Sequence, residues 1–251
     1  MKLPSRDLIL ESVFEWQPQH QGSDAVVQIG MCTMSRLPYL PWTISCLGSQ
    51  DESKIRLVIW NNNPKISRNV EQVINKCRPP FPVLVVHSRN NIGGMGRFLL
   101  VKYGFIRNTT PVVFIDDDQL LMPNCISELM RRWQPSVVTG WWAWRFISNQ
   151  GYWNRERCED GSFADYVGTG GIICNPDIFT HGKFFEGLPQ QFSRVEDLWL
   201  SYFASHVMGN TLVAAPNLIR QVKDGRDQYV GLRAKKNVFL EWLRIRGEWH
   251  V

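Results

Sequence analysis

Four short apolar runs recur in the first half of the chain, and each one stops abruptly at polar residues. They are Ala25–Cys32 (AVVQIGMC), Ile55–Trp60 (IRLVIW), Val83–His87 (VLVVH) and Val112–Ile115 (VVFI). Runs this short, rich in β-branched residues and largely apolar, read as strands buried on both faces. The segments between them have helical spacing. A proline-started stretch carries Leu40, Ile44 and Leu47, Ile66–Cys77 puts Val70, Val73, Ile74 and Cys77 on one face, and Arg97–Phe105 follows the third run. Strands alternating with helices form βαβ units, so the fold class is α/β, with a mostly parallel central sheet flanked by helices. In such sheets ligands bind beyond the carboxyl ends of the strands. That rule gathers Asn61–Asn63, Asn90–Arg97 and Asp116–Asp118 on one rim.

The second half is less regular. Ser136–Trp142 reads as a strand, Tyr166–Asn175 as a glycine-rich turn entering a strand, and Val195–Met208 as a helix. After Pro216 a polar, basic loop leads to a short helix near Asn237–Ile245. The 251 residues, 44% hydrophobic, suffice for one sizeable core, and this composition excludes a disordered tail. No apolar run reaches about 18 residues, so no transmembrane helix is expected. The N-terminus meets acids early and lacks an apolar core, so no signal peptide is expected. Cys32, Cys46, Cys77, Cys125, Cys158 and Cys174 include no C-x-x-C pair, which argues against structural zinc and for free thiols in a reducing compartment. A cytoplasmic location is expected, with a soluble lumenal domain as the alternative.

The net charge of +5 is concentrated in residues 217–248, which hold eight Lys/Arg (Arg220, Lys223, Arg226, Arg233, Lys235, Lys236, Arg244, Arg246) against four acids (Asp224, Asp227, Glu241, Glu248). Such a tail suits an anionic partner: a diphosphate, nucleic acid or an anionic membrane surface. A solvated helix face explains it equally well.

Three consecutive carboxylates closing an apolar strand repel one another, and a divalent cation relieves that repulsion. Carboxylate oxygens suit Mg2+ or Mn2+, which keep sites for water and phosphate. The alternative is an acidic turn in solvent. Asn91–Arg97 (NIGGMGR) is neither a dinucleotide fingerprint nor a P-loop, yet glycines ahead of a helix let backbone amides approach a phosphate, and Arg97 can pair with a diphosphate. Glu196 and Asp197 sit in the first turn of a helix, where the dipole favours carboxylates, whether as helix-start chemistry or as a general base or charge stabiliser. Trp141, Trp142, Trp144, Tyr152 and Trp153 are core residues or a ligand platform. His87 and His206 lack ligand spacing and read as structural.

Taken together, these segments resemble the GT-A glycosyltransferases. VVFIDDDQLLMPN looks like the family's DXD metal motif, RVEDLWLSYF like its later ED motif, and DYVGTGGIICNPDIF like the segment passing under the donor sugar. The resemblance covers roughly Ala25 to Ala215. A closer likeness is to the exostosin-type transferases: RLVIWNNNPK resembles their strand-end Trp-Asn-Asn, Asn91 and Arg97 match their Asn and Arg, and LRAKKNVFLEWL resembles their closing Arg-containing helix. Glycines stretch the Asn–Arg interval here, and Gly170 and Gly171 replace bulkier residues, so family-2-like inverting enzymes are the second resemblance.

The resemblance implies a GT-A-like single domain. Residues 1–24 form an N-terminal extension, 25–216 the catalytic domain (25–118 the nucleotide-binding half, 119–216 the acceptor half), and 217–251 a basic loop and helix packed on it. It implies a nucleotide-diphosphate sugar donor, UDP-linked first, held through Mn2+ or Mg2+, and a glycan or glycoconjugate acceptor. Asp116 and Asp118 would hold the metal, with Asp116 also facing the ribose. Asn61, Asn62, Asn91, Arg97, Asp117, Gly170 and Gly171 would bind the nucleotide sugar. Asp197 with Glu196 would serve the acceptor, as a base in an inverting enzyme or as a charge stabiliser in a retaining one, and Arg233 would add positive charge over the leaving group. No nucleic-acid partner is expected, while the basic C-terminus offers a peripheral membrane contact. Two other readings remain: a sugar nucleotidyltransferase, for which QIGMCTMSR is a poor loop match, and a non-enzymatic sugar- or nucleic-acid-binding module.

Overall fold

A computed structural model describes residues 5–19, 27–52, 54–147, 151–222 and 231–245. Of the basic tail, Lys223, Arg226, Arg246, Asp224, Asp227 and Glu248 lie outside the described residues. The four apolar runs are strands β2 (Val27–Thr33), β3 (Ile55–Asn61), β4 (Val83–Ser88) and β5 (Val112–Asp116). They lie parallel in the order β4-β3-β2-β5. Every residue of β2 and β4 is buried, as strands covered on both faces require. Gln28, a polar residue inside β2, is satisfied: its amide nitrogen donates to the Arg107 carbonyl and Thr110 Oγ1, and its oxygen accepts the Arg107 N–H. Gly30, opposite Val58 and Phe114, has no room for more, since a Cβ there would fall 2.5 Å from the Phe114 ring.

Two flanks extend this core. The stretch expected to be an extension contains a short helix, α1 (Arg6–Ile9), and an edge strand, β1 (Leu10–Trp16), antiparallel to β4 with Phe14 opposite Val85. On the other side β11 (Ile172–Cys174) runs antiparallel between β5 and β7 (Val137–Gly140), and β12 (Thr211–Ala214) closes the sheet parallel to β7. The eight-stranded sheet is therefore parallel through the front half and mixed at both margins. Two smaller sheets sit beside it. One is a ribbon of β8 (Ala143–Phe146), β9 (Arg155–Arg157) and β10 (Tyr166–Val167); the other pairs β6 (Gln119–Leu121) with β13 (Ile219–Gln221).

Helices cover both faces. On one face α2 (Leu40–Gly48), α3 (Ser67–Cys77) and α5 (Cys125–Arg132) bury Leu40, Ile44, Leu47, Val70, Ile74, Ile126 and Leu129 against the sheet. The other face holds α4 (Met95–Lys102), α6 (Asp177–Thr180), α7 (Gly182–Glu186), α8 (Glu196–Tyr202) and α9 (Arg233–Ile245). Its centre is aromatic: Phe98 stacks on Phe179 at 4.7 Å, and Phe114 and Phe184 meet them edge-on. The helix expected over Val195–Met208 is regular only to Tyr202 and widens into a π turn over Phe203–Val207. Among the described residues, no helix is long and apolar enough to cross a membrane.

Candidate functional site

A cavity of about 620 Å³ opens where β2, β3, β4 and β5 end. Sheet topology puts it there, because the loops leaving these four strands diverge around one point. Thr33 and Arg36 come from the end of β2, Asn62 from β3, Asn91 to Arg97 from β4, and Asp116–Asp118 from β5. The opposite wall is formed by Gly168–Gly170, Glu196, Asp197 and Lys236, with Trp141 and Trp142.

The two asparagines after β3 divide their work. Asn62 lines the cavity and pins the glycine loop: its Oδ1 accepts from Trp60 Nε1 and the Ile92 N–H, both at 3.1 Å, and its Nδ2 donates to the Gly93 carbonyl at 3.0 Å. Asn61 is buried outside the cavity, with Nδ2 3.0 Å from His87 Nδ1, while His87 Nε2 meets Glu71 at 3.1 Å. Asn61 and His87 thus join β3, β4 and α3. Asn91 lines the cavity, and its side chain accepts the Gly93 N–H at 2.9 Å.

The glycines answer to close packing. A methyl at Gly94 would fall 1.6 Å from Glu196 Oε1, at Gly96 2.3 Å from the Trp60 ring, and at Gly170 2.0 Å from Asp116 Oδ2. Glycine at these positions lets two carboxylates and an indole come against the backbone. Gly171 stands behind the wall at φ +83, with Trp141 and Ile219 where a side chain would go.

Two arginines and a threonine serve the triplet. Asp116 pairs with Arg97 at 2.7 Å, Asp117 accepts from Thr33 Oγ1 at 2.9 Å, and Arg36 pairs with Asp118 at 2.8 Å and with Asp117 at 3.6 Å. Burial and the Asp116 charge push the Asp118 carboxyl up to about 7 although Arg36 opposes them; burial likewise raises Asp117. The triplet is therefore under-neutralised by the chain itself. Among the described residues no three His, Cys, Asp or Glu side chains converge to cage an ion. An all-oxygen donor set with Asp118 short of positive charge fits a hard divalent cation whose remaining ligands are phosphate and water. Arg97 is buried beside Asp116, and its Nε, shielded from solvent, has no hydrogen-bond partner among the described residues.

Across the cavity, Glu196 and Asp197 occupy the first turn of α8 and behave oppositely. Burial and the neighbouring Asp197 charge push the Glu196 carboxyl up to about 7. Burial also raises Asp197, but Lys236 overrides it and leaves this carboxyl below the usual range. Lys236 Nζ lies 2.5 Å from Asp197 Oδ2, which also accepts from the Tyr166 hydroxyl. Arg233 is not brought to the cavity; its guanidinium stacks 5.3 Å from the Trp153 ring, one turn before Lys236.

The structure thus brings together Asn62, Asn91, Arg97, Asp116, Asp117, Asp118, Gly170, Glu196 and Asp197, and sets Asn61, Gly171 and Arg233 apart. Sequence reasoning missed Arg36, Thr33, Tyr166 and Lys236. The first two lie at the end of β2, the one strand whose exit had not been placed on the rim. The aromatic cluster is shared: Trp141 and Trp142 line the cavity, while Trp144, Tyr152 and Trp153 surround Arg155 of the ribbon, whose Cζ is 3.8 Å from the Tyr152 ring centroid.

No protein-family model matches the chain, and no curated protein matches it in sequence. Solved structures match it in fold. TarS from S. aureus, in complex with UDP, superposes with a TM-score of 0.52 at 12% identity over 76% of this chain and 58% of that one. The same protein in complex with UDP-GlcNAc gives 0.53 at 13% identity over 78% and 59%. The mannosyltransferase PcManGT from Pyrobaculum calidifontis, in complex with GDP-Man and Mn2+, gives 0.63 at 11% identity over 90% of this chain and 65% of that one. The chain spans less than two thirds of the length of these structures, and what it shares with them is the GT-A-like fold.

Proposed function

We propose that this chain is a metal-dependent glycosyltransferase that moves a sugar from a nucleotide-diphosphate donor, UDP-linked first, to a hydroxyl of a glycan or other acceptor. The observation that carries this is the meeting, in one cavity, of Asp116–Asp118, Arg97, Glu196 and Asp197, which come from three separate segments of the chain. The neighbours in complex with UDP, UDP-GlcNAc, and GDP-Man with Mn2+ support a nucleotide-sugar donor and a divalent cation.

Asp118, with Asp116, would hold Mn2+ or Mg2+ against the donor diphosphate. When bound, the ion supplies Lewis-acid stabilisation of charge on the departing nucleotide diphosphate. Arg97 places a buried guanidinium beside Asp116, fixing that carboxylate and adding positive charge where the diphosphate would lie. Asn62 holds the glycine loop that frames this end, and Gly170 lets the donor segment lie against Asp116. Trp141 and Trp142 form the side from which an acceptor ring stacks. In the transfer the acceptor oxygen bonds to the anomeric carbon, the bond from that carbon to the diphosphate breaks, and the hydroxyl proton leaves. Asp197 takes that proton in an inverting reaction and faces the oxocarbenium-like centre in a retaining one, so the anomer of the product separates the two.

Calorimetric titration of UDP, with GDP as control, in Mn2+ and then in EDTA tests the proposal. Metal-dependent UDP binding, followed by turnover of a UDP-sugar, is expected. GDP binding in place of UDP changes the donor, and no nucleotide binding in either buffer overturns the transferase. Release of pyrophosphate rather than UDP would identify a nucleotidyltransferase.

A further inference from the structure

We infer that Lys236 is a positioning residue of this site: its buried ammonium pins the Asp197 carboxylate as a fixed, oriented anion, making α9 part of the acceptor wall. The inference rests on the transferase proposed above and chooses between the two parts that proposal leaves to Asp197.

Three observations carry it. Lys236 is 4% exposed, and a buried ammonium is tolerated only when paired and hydrogen-bonded. Its Nζ is 2.5 Å from Asp197 Oδ2 and 3.2 Å from the Tyr152 hydroxyl, and these two contacts point into the wall. Finally, Asp197 has little acceptor capacity to spare. Its Oδ2 takes Lys236 and the Tyr166 hydroxyl, and its Oδ1 takes the Leu198 N–H at 2.9 Å. A carboxylate engaged by an ammonium, a phenol and an amide is a poor proton acceptor and a good fixed charge.

The groups facing Asp197 are few. From α9 comes Lys236, from β10 Tyr166, and from the loop before β9 Tyr152, which reaches it through Lys236. Glu196 adjoins it on α8, and Arg97 of α4 acts on Glu196 by charge. Lys236 is the cation in contact with Asp197 among the described residues. Removing it takes away the charge that offsets burial and leaves the Tyr166 hydroxyl and the Leu198 N–H as donors to Asp197, so its pKa rises.

The test compares wild type with K236M, K236R, D197N and K236M/D197N. Turnover of the donor sugar is followed against pH. In K236M the acid limb of kcat/KM is expected to move up by about 1–3 pH units while KM for the donor is retained, and K236R is expected to restore the limb. An acid limb that stays in place in a folded K236M overturns the inference, as does failure of K236R to restore it. K236Q carries the same comparison if K236M does not fold. A second arm needs no activity: by thermal melting at neutral pH, K236M should unfold at a lower temperature than K236M/D197N, because the second substitution removes the stranded charge. Equal or reversed order there overturns the pinning. Wild type that turns over no nucleotide sugar would overturn the transferase reading, and the melting arm would still decide the ion pair.

Discussion

The two walls of the cavity each carry adjacent carboxylates, and they draw their partners from different parts of the chain. At the end of β5 the triplet Asp116–Asp118 draws Arg97, Thr33 and Arg36 from neighbouring strand exits, with Arg36 shared between Asp117 and Asp118, and still leaves Asp118 with its carboxyl near 7. At the start of α8 the pair Glu196–Asp197 is served by a buried lysine from a distant helix, and Asp197 ends below the usual carboxylate range. Each wall thus keeps one raised carboxyl, Asp118 on one side and Glu196 on the other, and Asp197 alone of these three is held below the usual range.

Substitutions should separate the walls in a definite order. The largest effect is expected from Asp118→Ala, which removes the acid short of positive charge. Metal-dependent turnover should fall on the order of 10²–10³-fold or more, with the melting temperature little changed. Retained metal-dependent activity in that variant would erase the contrast. Next comes Gly94→Ala, whose new methyl meets the Glu196 carboxylate. A loss of about 1–3 kcal/mol in urea unfolding is expected, together with weaker nucleotide binding.

Smaller effects probe the charges themselves. Glu196 has its carboxyl raised to about 7 from 4.5, so the folded state holds this proton more tightly than the unfolded chain. The stability it contributes is present below pH 4.5 and is lost as pH rises through about 7. Glu196→Gln should therefore flatten the fall in stability between pH 5 and pH 8 by roughly 1–2 kcal/mol, measured by urea unfolding at both values. The smallest change is expected for Arg233→Ala. It stacks on Trp153 outside the cavity, so turnover should stay within about twofold of wild type. A large loss there would move the acceptor wall outward to the ribbon.

The front half was legible because its strands are mostly apolar and end in polar residues. Ile55–Trp60 and Val112–Ile115 each gain one residue in the structure, and the stripe of Leu40, Ile44 and Leu47 is buried. Their exits follow from topology alone, which is why the acidic triplet and Arg97 met as expected. β1 was harder to see: the charges Glu11 and Glu15 in LESVFEW mask an alternation in which Phe14 and Trp16 pack towards the core. Arg233 and Lys236 show the limit of motif matching. Arginine fits the likeness of the closing helix, but the buried stripe of α9, Phe239, Leu240 and Leu243, continued one turn back reaches Lys236. Helical periodicity carried that signal. The π turn after Tyr202 and the Asp197–Tyr166 contact depend on packing between segments far apart in the chain, and no local pattern announces them.

The arrival of α9 at Asp197 also orders events in time. During synthesis the triplet and its partners Thr33, Arg36 and Arg97 emerge early, and every contact among them is complete once residue 118 is available. Lys236 is made 39 residues after Asp197 and 84 after Tyr152. The side-chain partners of the triplet are thus encoded within residues 33–118, while the cation that compensates Asp197 arrives with a helix made well after it.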